Sequence, residues 1–179
     1  MENTMNTLIK LIPAALLCAS SAAMAMTENT SAPEQVRVPA GHAVKLWTVG
    51  IGEITYACRE KADQPGTHAW TFVAPVAALY DKNKAVVGKY YGGPTWEAAD
   101  GSKVSGKQLG VAPGGIGNIA LQLVQAAPAT GMGAMSGVSY IQRLNTRGGV
   151  PADLPCSMAN AGAEQKVGYQ ADYIFYAMQ

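Results

Sequence analysis

Charge is scarce in this sequence: Asp, Glu, Lys and Arg make up 14% of its 179 residues and leave a formal charge of +1. No run of Lys and Arg forms a basic stripe, so the long-range attraction that draws proteins to phosphate backbones or anionic lipid has nothing to act through. Nucleic acid is therefore excluded as a partner. His42 and His68 are the only histidines, too few for a closed zinc site without help from cysteines. No metal and no cofactor are expected. No Ser sits in a GxSxG elbow, so the sequence carries no sign of an α/β-hydrolase nucleophile. No apolar run reaches the roughly 20 residues that a membrane-spanning helix needs, and no internal repeat of fixed period is visible.

The first 25 residues read as a signal peptide. A polar start with Glu2 and Lys10 precedes an apolar stretch over residues 11–20, and Ala23-Met24-Ala25 supplies the small residues that signal peptidase requires. Cleavage is expected after Ala25, with residues 26–35 a flexible mature N-terminus and 36–179 a single β-rich domain. Losing Lys10 together with Glu2 leaves the charge unchanged. Cys18 leaves with the leader, since Leu17 before it lacks the small side chain of a lipoprotein cleavage site. Export to the periplasm or the extracellular space then leaves Cys58 and Cys156 where thiols pair, and a disulfide between them is expected over two buried free thiols. Closing a loop of this size would stabilise the domain by on the order of 4 to 5 kcal/mol in the chain-entropy model.

What the sequence has in quantity is Gly (20), Pro (10) and Tyr (8), with three Trp against two Phe. Tyr and Trp favour half-buried strands, and frequent Gly and Pro punctuate short ones. The fold class is therefore all-β: an antiparallel sandwich or barrel of short strands with one disulfide. Strands are predicted over 43–49 and 54–59, with a turn or bulge at Gly50-Ile51-Gly52 between them. Pro75 is expected to split residues 70–80 into two strands. The Asp81-Lys82-Asn83-Lys84 stretch and the Asp100-Gly101 pair mark hairpin turns. Residues 118–126 fit a strand or a helix, and strand is the working assignment.

Gly115-Ile116-Gly117-Asn118-Ile119-Ala120 spells the glycine pattern of a dinucleotide-binding turn. The reading fails on context, because no hydrophobic strand precedes it and the next acidic residue is as far away as Asp153. The stretch from Gly92 to Ser102 is more distinctive, presenting Trp96, Glu97 and Asp100 between tight turns. These three, with His68, are the ligand-binding candidates. The opposing account is architectural: Trp96 packs in the core and Asp100 with Ser102 stabilises a turn. His68 and Trp70 share a face if their segment is a strand. Arg143 reads as a strand-face charge near an acidic residue.

Tyr56-Ala57-Cys58, the run Val87-Gly88-Lys89-Tyr90-Tyr91-Gly92-Gly93-Pro94-Thr95-Trp96-Glu97, Asp100-Gly101-Ser102, Tyr140-Ile141-Gln142-Arg143 with Gly148-Gly149, Cys156, and Ala171-Asp172-Tyr173 appear in this order. Together they resemble the uncharacterised secreted family catalogued as domain of unknown function 3455. The resemblance implies a secreted, disulfide-closed domain and brings no established activity or catalytic residue. A malate dehydrogenase label carried by some fungal members finds no support here, where the βαβ unit is missing. A His common in the family near the positions of Lys89 and Tyr90 is also absent, which weakens a metal reading. The functional expectation is an exported binding or structural module of the cell envelope or extracellular space, with a small molecule, glycan or envelope component as partner and no stable membrane span after cleavage. The alternatives are a secreted hydrolase using Glu97 and Asp100 as a carboxylate pair, and a metal-binding envelope protein.

Overall fold

Alternation of apolar and polar residues writes long strands here, joined by tight turns in the first half of the barrel and by longer connections in the second. The computed structural model describes residues 29–151 and 154–179, so the expected leader and its cleavage site lie outside the described residues. Eight strands follow in order: β1 (His42–Lys61), β2 (Gln64–Tyr80), β3 (Val86–Tyr91), β4 (Thr95–Ala98), β5 (Lys103–Ala112), β6 (Leu121–Ala126), β7 (Val138–Gly148) and β8 (Glu164–Met178). Each pairs antiparallel with the next, and β8 returns to β1 to close an up-and-down barrel. Closure removes the unpaired edges that an open sheet would expose.

The Asp81 and Asp100 turns form where the sequence places them. Asp81 Oδ1 accepts from the N–H groups of Asn83 and Ala85, and Gly101 takes φ +86 to close the Asp100 turn. Two readings change. Gly50-Ile51-Gly52 lies inside β1 rather than in a turn, because its glycines serve close packing: a Cβ at Gly52 would stand 1.9 Å from the Val76 carbonyl oxygen. Pro75 does not divide β2. It sits opposite Ile54, beside a register shift between Thr55 and Tyr56 that absorbs the missing N–H.

The core has two layers. Inside the barrel all eight strands contribute, among them Ile54, Leu79, Tyr90, Trp96, Val104, Val124, Ile141, Tyr173 and Phe175. Outside, the segment before β1 lays Ala32, Val36 and Val38 against Ala112, Leu123, Leu144, Ile174 and Tyr176. Gln142, fully buried beneath this strap, donates to Asn29 Oδ1 (3.0 Å) and to the Val36 carbonyl (2.7 Å) and accepts from the Tyr176 hydroxyl (2.9 Å). Every polar atom of its amide head is thus served, which a buried amide requires. The outer wall elsewhere carries Lys89, Glu97 and Lys107 in mid-strand, unlike the apolar band of a lipid-facing barrel. Among the described residues no helix is long and apolar enough to cross a membrane.

The two ends of the barrel differ. The connection over residues 127–137 folds across one end, burying Met135 and packing Ala129 and Ala134 onto the lumen core. At the other end, Cys58 and Cys156 form a disulfide with a Cα–Cα distance of 5.5 Å. It ties the long connection before β8 to the end of β1.

Candidate functional site

Strand alternation decides what Trp96, Glu97 and Asp100 can do together. Trp96 points into the lumen, where it is 0% exposed, stacks on Tyr90 at 4.9 Å and meets Tyr173 edge-on at 5.8 Å. Its indole Nε1 is buried with no hydrogen-bond partner among the described residues. Glu97, the next residue, necessarily faces outward. There it accepts from the Tyr91 hydroxyl (2.9 Å) and pairs with Lys89 (3.3 Å) and Lys103 (3.4 Å). The Tyr91 bond, with the two lysines, lowers its pKa.

Asp100 works at the closed end. Its Oδ1 accepts from Ser102 Oγ (2.6 Å) and Ser102 N–H (2.9 Å), and its Oδ2 accepts from Ala134 N–H (2.7 Å). Ser102 Oγ in turn accepts from Met135 N–H (3.1 Å). These bonds pin the floor connection and lower the carboxyl's pKa, the Ser102 hydroxyl contributing most. Both carboxylates are thus held ionised on different parts of the surface, and neither is poised as the proton donor that paired-carboxylate hydrolysis needs.

His68 belongs to a different neighbourhood. On β2 it alternates with Trp70 and Phe72, whose register partners on β1 are Glu60, Cys58 and Tyr56. The Tyr56 and Phe72 rings meet edge-on at 6.2 Å, and Trp70 Nε1 donates to the Leu154 carbonyl (3.0 Å). Tyr56 packs against the lumen core and donates to the Gly149 carbonyl (2.7 Å). Opposite, Val111 pairs with Gln122, which pairs with Arg143, which pairs with the lumen residue Tyr173. Directly opposed residues of an antiparallel ladder share a face, so Val111, Gln122 and Arg143 all face inward. Yet Phe72 and Val111 remain 55% and 45% exposed. At the disulfide end of the barrel Ile119 and Gly149 pack onto Ile54 and Tyr169, and beside them the exposed, inward-facing Phe72 and Val111 leave a partly open mouth.

Sequence reasoning placed Arg143 on a strand face near an acidic residue and did not single it out for the site. Its Nε donates to the Ala120 carbonyl (3.0 Å), and among the described residues no carboxylate pairs with it. Its charge lowers the pKa of Tyr56, Tyr90, Tyr169 and Tyr173, in each case against a larger upward push from burial. The available signal was its spacing of two from Ile141, which puts both on one strand face. Leu144 made the other face equally apolar, so the pattern did not say which face was inside. Two surface clefts, of about 530 and 680 Å³, lie elsewhere, one beneath the strap at the β7 bulge and one outside the floor beside His42. Among the described residues, Arg147 and His42 are the only Arg, Lys, His or acidic side chains lining them.

Neither a curated protein nor a solved structure matches the chain. A family model does match, over residues 39–177, which takes in the whole barrel but the last residue of β8. The chain belongs to the family described as protein of unknown function (DUF3455).

Proposed function

We propose that this domain is an exported binding module that takes a small molecule into the open mouth of its barrel. The observation that carries the reading is the pair Phe72 and Val111, apolar side chains that face inward and yet stay half exposed, above a lumen whose far end is closed. Apolar surface left wet inside a concave, rigid frame is what a ligand's apolar body would cover. The strands on either side are tied by the disulfide and the barrel ladder, so little ordering is required on binding. His68 and Trp70 belong to the rim in this reading, Trp96 to the lumen's depth, and Glu97 and Asp100 to the scaffold.

Export is the second part of the proposal, supported by the disulfide, a bond that persists in oxidising compartments. Intact mass of the protein recovered outside the cytoplasm of its host checks it: a chain beginning at Met26 is expected, and one retaining Cys18 refutes the cleavage site. The binding reading is tested by a thermal-shift screen of the purified protein against small aromatic and aliphatic molecules, glycans and metals. Phe72→Ala should leave the melting temperature within about 2 °C of the parent, since an exposed ring buries little area, while ligand retention is lost. A Phe72→Ala protein that keeps every detected ligand would leave the mouth without a binding role and favour a purely structural module.

A further inference from the structure

The mouth presents the positive charge of Arg143, and among the described residues no carboxylate pairs with it. Arg143 faces the lumen between Gln122 and Tyr173, two residues after the core side chain of Ile141. Of the acidic residues on the strands, Glu60 shares the face of Tyr56 and Cys58 but sits at the β1–β2 hairpin, where it accepts from the Gly66 N–H, and the others point the other way. Glu53 is held outside by Lys166, Glu97 by Lys89 and Lys103, and Asp172, opposite Leu144 of the outer layer, accepts from Asn145. A charge among apolar walls is costly unless something pairs with it. The Ala120 carbonyl holds only Nε, and the terminal nitrogens of the guanidinium make no hydrogen bond among the described residues. The positively charged fork is thus oriented by one bond and free at its working end.

We propose that the mouth takes an amphipathic monoanion, an apolar ring or chain bearing one carboxylate or sulfonate, whose charged end is bound by Arg143. This rests on the reading of the mouth as a binding site. A guanidinium fork matches a carboxylate or sulfonate with two parallel hydrogen bonds, stronger than neutral ones. Tyr56, Phe72 and Val111 lie toward the opening and meet the apolar body. The buried phenols add polarity without adding charge: Tyr169 and Tyr173 hydroxyls share a hydrogen bond at 3.1 Å. A dianion would leave one negative charge unpaired in the lumen, which selects for a single charge.

Anilinonaphthalene sulfonate and phenylnaphthylamine test this, because they share a ring body and differ by the sulfonate. The parent protein is expected to bind both, the sulfonate more tightly. Arg143→Met should weaken the sulfonate at least about tenfold and leave the neutral probe within about twofold, with Arg143→Lys between the two. Far-UV circular dichroism checks that the variants fold. Independently of any variant, decanoate should displace the sulfonate probe from the parent and decanol should not. If Arg143→Met binds both probes as the parent does, or decanol competes as well as decanoate, the anion assignment is overturned while the mouth stands. If neither probe binds the parent, the mouth itself is not a binding site and both readings fall.

Discussion

The ring of Tyr173 occupies the space that a side chain at Gly50 would need: a Cβ there would stand 2.5 Å from Tyr173 Cε2. Tyr173 is 0% exposed and touches Tyr90 and Trp96 as well, so it has nowhere to retreat. Gly50→Ala is expected to destabilise the domain by roughly 1 to 3 kcal/mol, the range for overpacking a filled core. Gly168→Ala, at a position where an added Cβ meets nothing within 4 Å, should be neutral or slightly stabilising. Urea unfolding of the pair checks the contrast.

That glycine also shows where the sequence was legible. The Asp100-Gly101 turn was readable because its signal is local: a side-chain acceptor followed by a residue that takes a left-handed conformation without strain. Gly50 and Gly52 looked like another such signal, but their need for a missing side chain comes from β2 and β8, distant in sequence. The disulfide was legible by elimination, since the expected leader takes Cys18 and leaves only two cysteines to pair. Of the candidate site, Trp96 and His68 could be seen as distinctive residues. The mouth could not, because Phe72, Val111 and Arg143 converge only when the barrel closes through β1 and β8, a pairing across more than a hundred residues.

The Cys58–Cys156 bond closes a loop with a sequence separation of 98. Cys58 itself is fully buried, and the adjoining backbone holds Gly162 and Ala163 through hydrogen bonds of 2.9 and 2.8 Å. Cys156→Ala, or reduction, should cost up to about 5 kcal/mol. For a domain of this size that is a fall of roughly 10 °C in melting temperature. Calorimetry with and without reductant measures it, and two thiols open to alkylation in the native protein would refute the pairing.

Asp100 makes the floor sensitive to acid. Its pKa is lowered in the folded state, so the stability it contributes is present above the unfolded carboxylate value of about 4 and is lost as pH falls through the folded value. Asp100→Asn should remove that part of the acid limb. It also puts an amide NH2 in place of one carboxylate oxygen, facing either the Ala134 N–H or the Ser102 donors, which lowers the melting temperature at neutral pH too. Melts of both proteins across the acid range decide whether the slope is shared.

The lumen tyrosines act at the opposite limit. Burial pushes Tyr169 up to about 12 and Tyr173 higher than its ordinary value, the shared hydroxyl bond raising Tyr173 and lowering Tyr169. A phenol raised in the folded state contributes stability that is complete below its unfolded pKa of about 10 and is lost as pH rises through the folded one. The barrel should therefore unfold cooperatively in alkali, with the phenolate absorbance rising together with the loss of far-UV signal. Tyr169→Phe should shift that midpoint upward.

Neighbouring residues Trp96 and Glu97 should respond in opposite ways to truncation. Trp96 fills the lumen against Tyr90, Tyr173 and Phe175, and Trp96→Ala leaves a cavity expected to cost roughly 3 to 5 kcal/mol. Glu97 sits on the outer wall in a screened network with Tyr91, Lys89 and Lys103. Ion pairs on a protein surface contribute little, so Glu97→Ala should melt close to the parent. It should also bind any ligand of the mouth unchanged, because its side chain lies on the far side of the strand from the lumen. Trp96→Phe keeps an aromatic ring in the lumen while removing the unpartnered Nε1 together with part of the indole volume, so its stability is measured alongside its binding. A ligand lost by Trp96→Phe at unchanged stability would show that the indole N–H reaches into the binding space, and a ligand retained would leave Trp96 as wall.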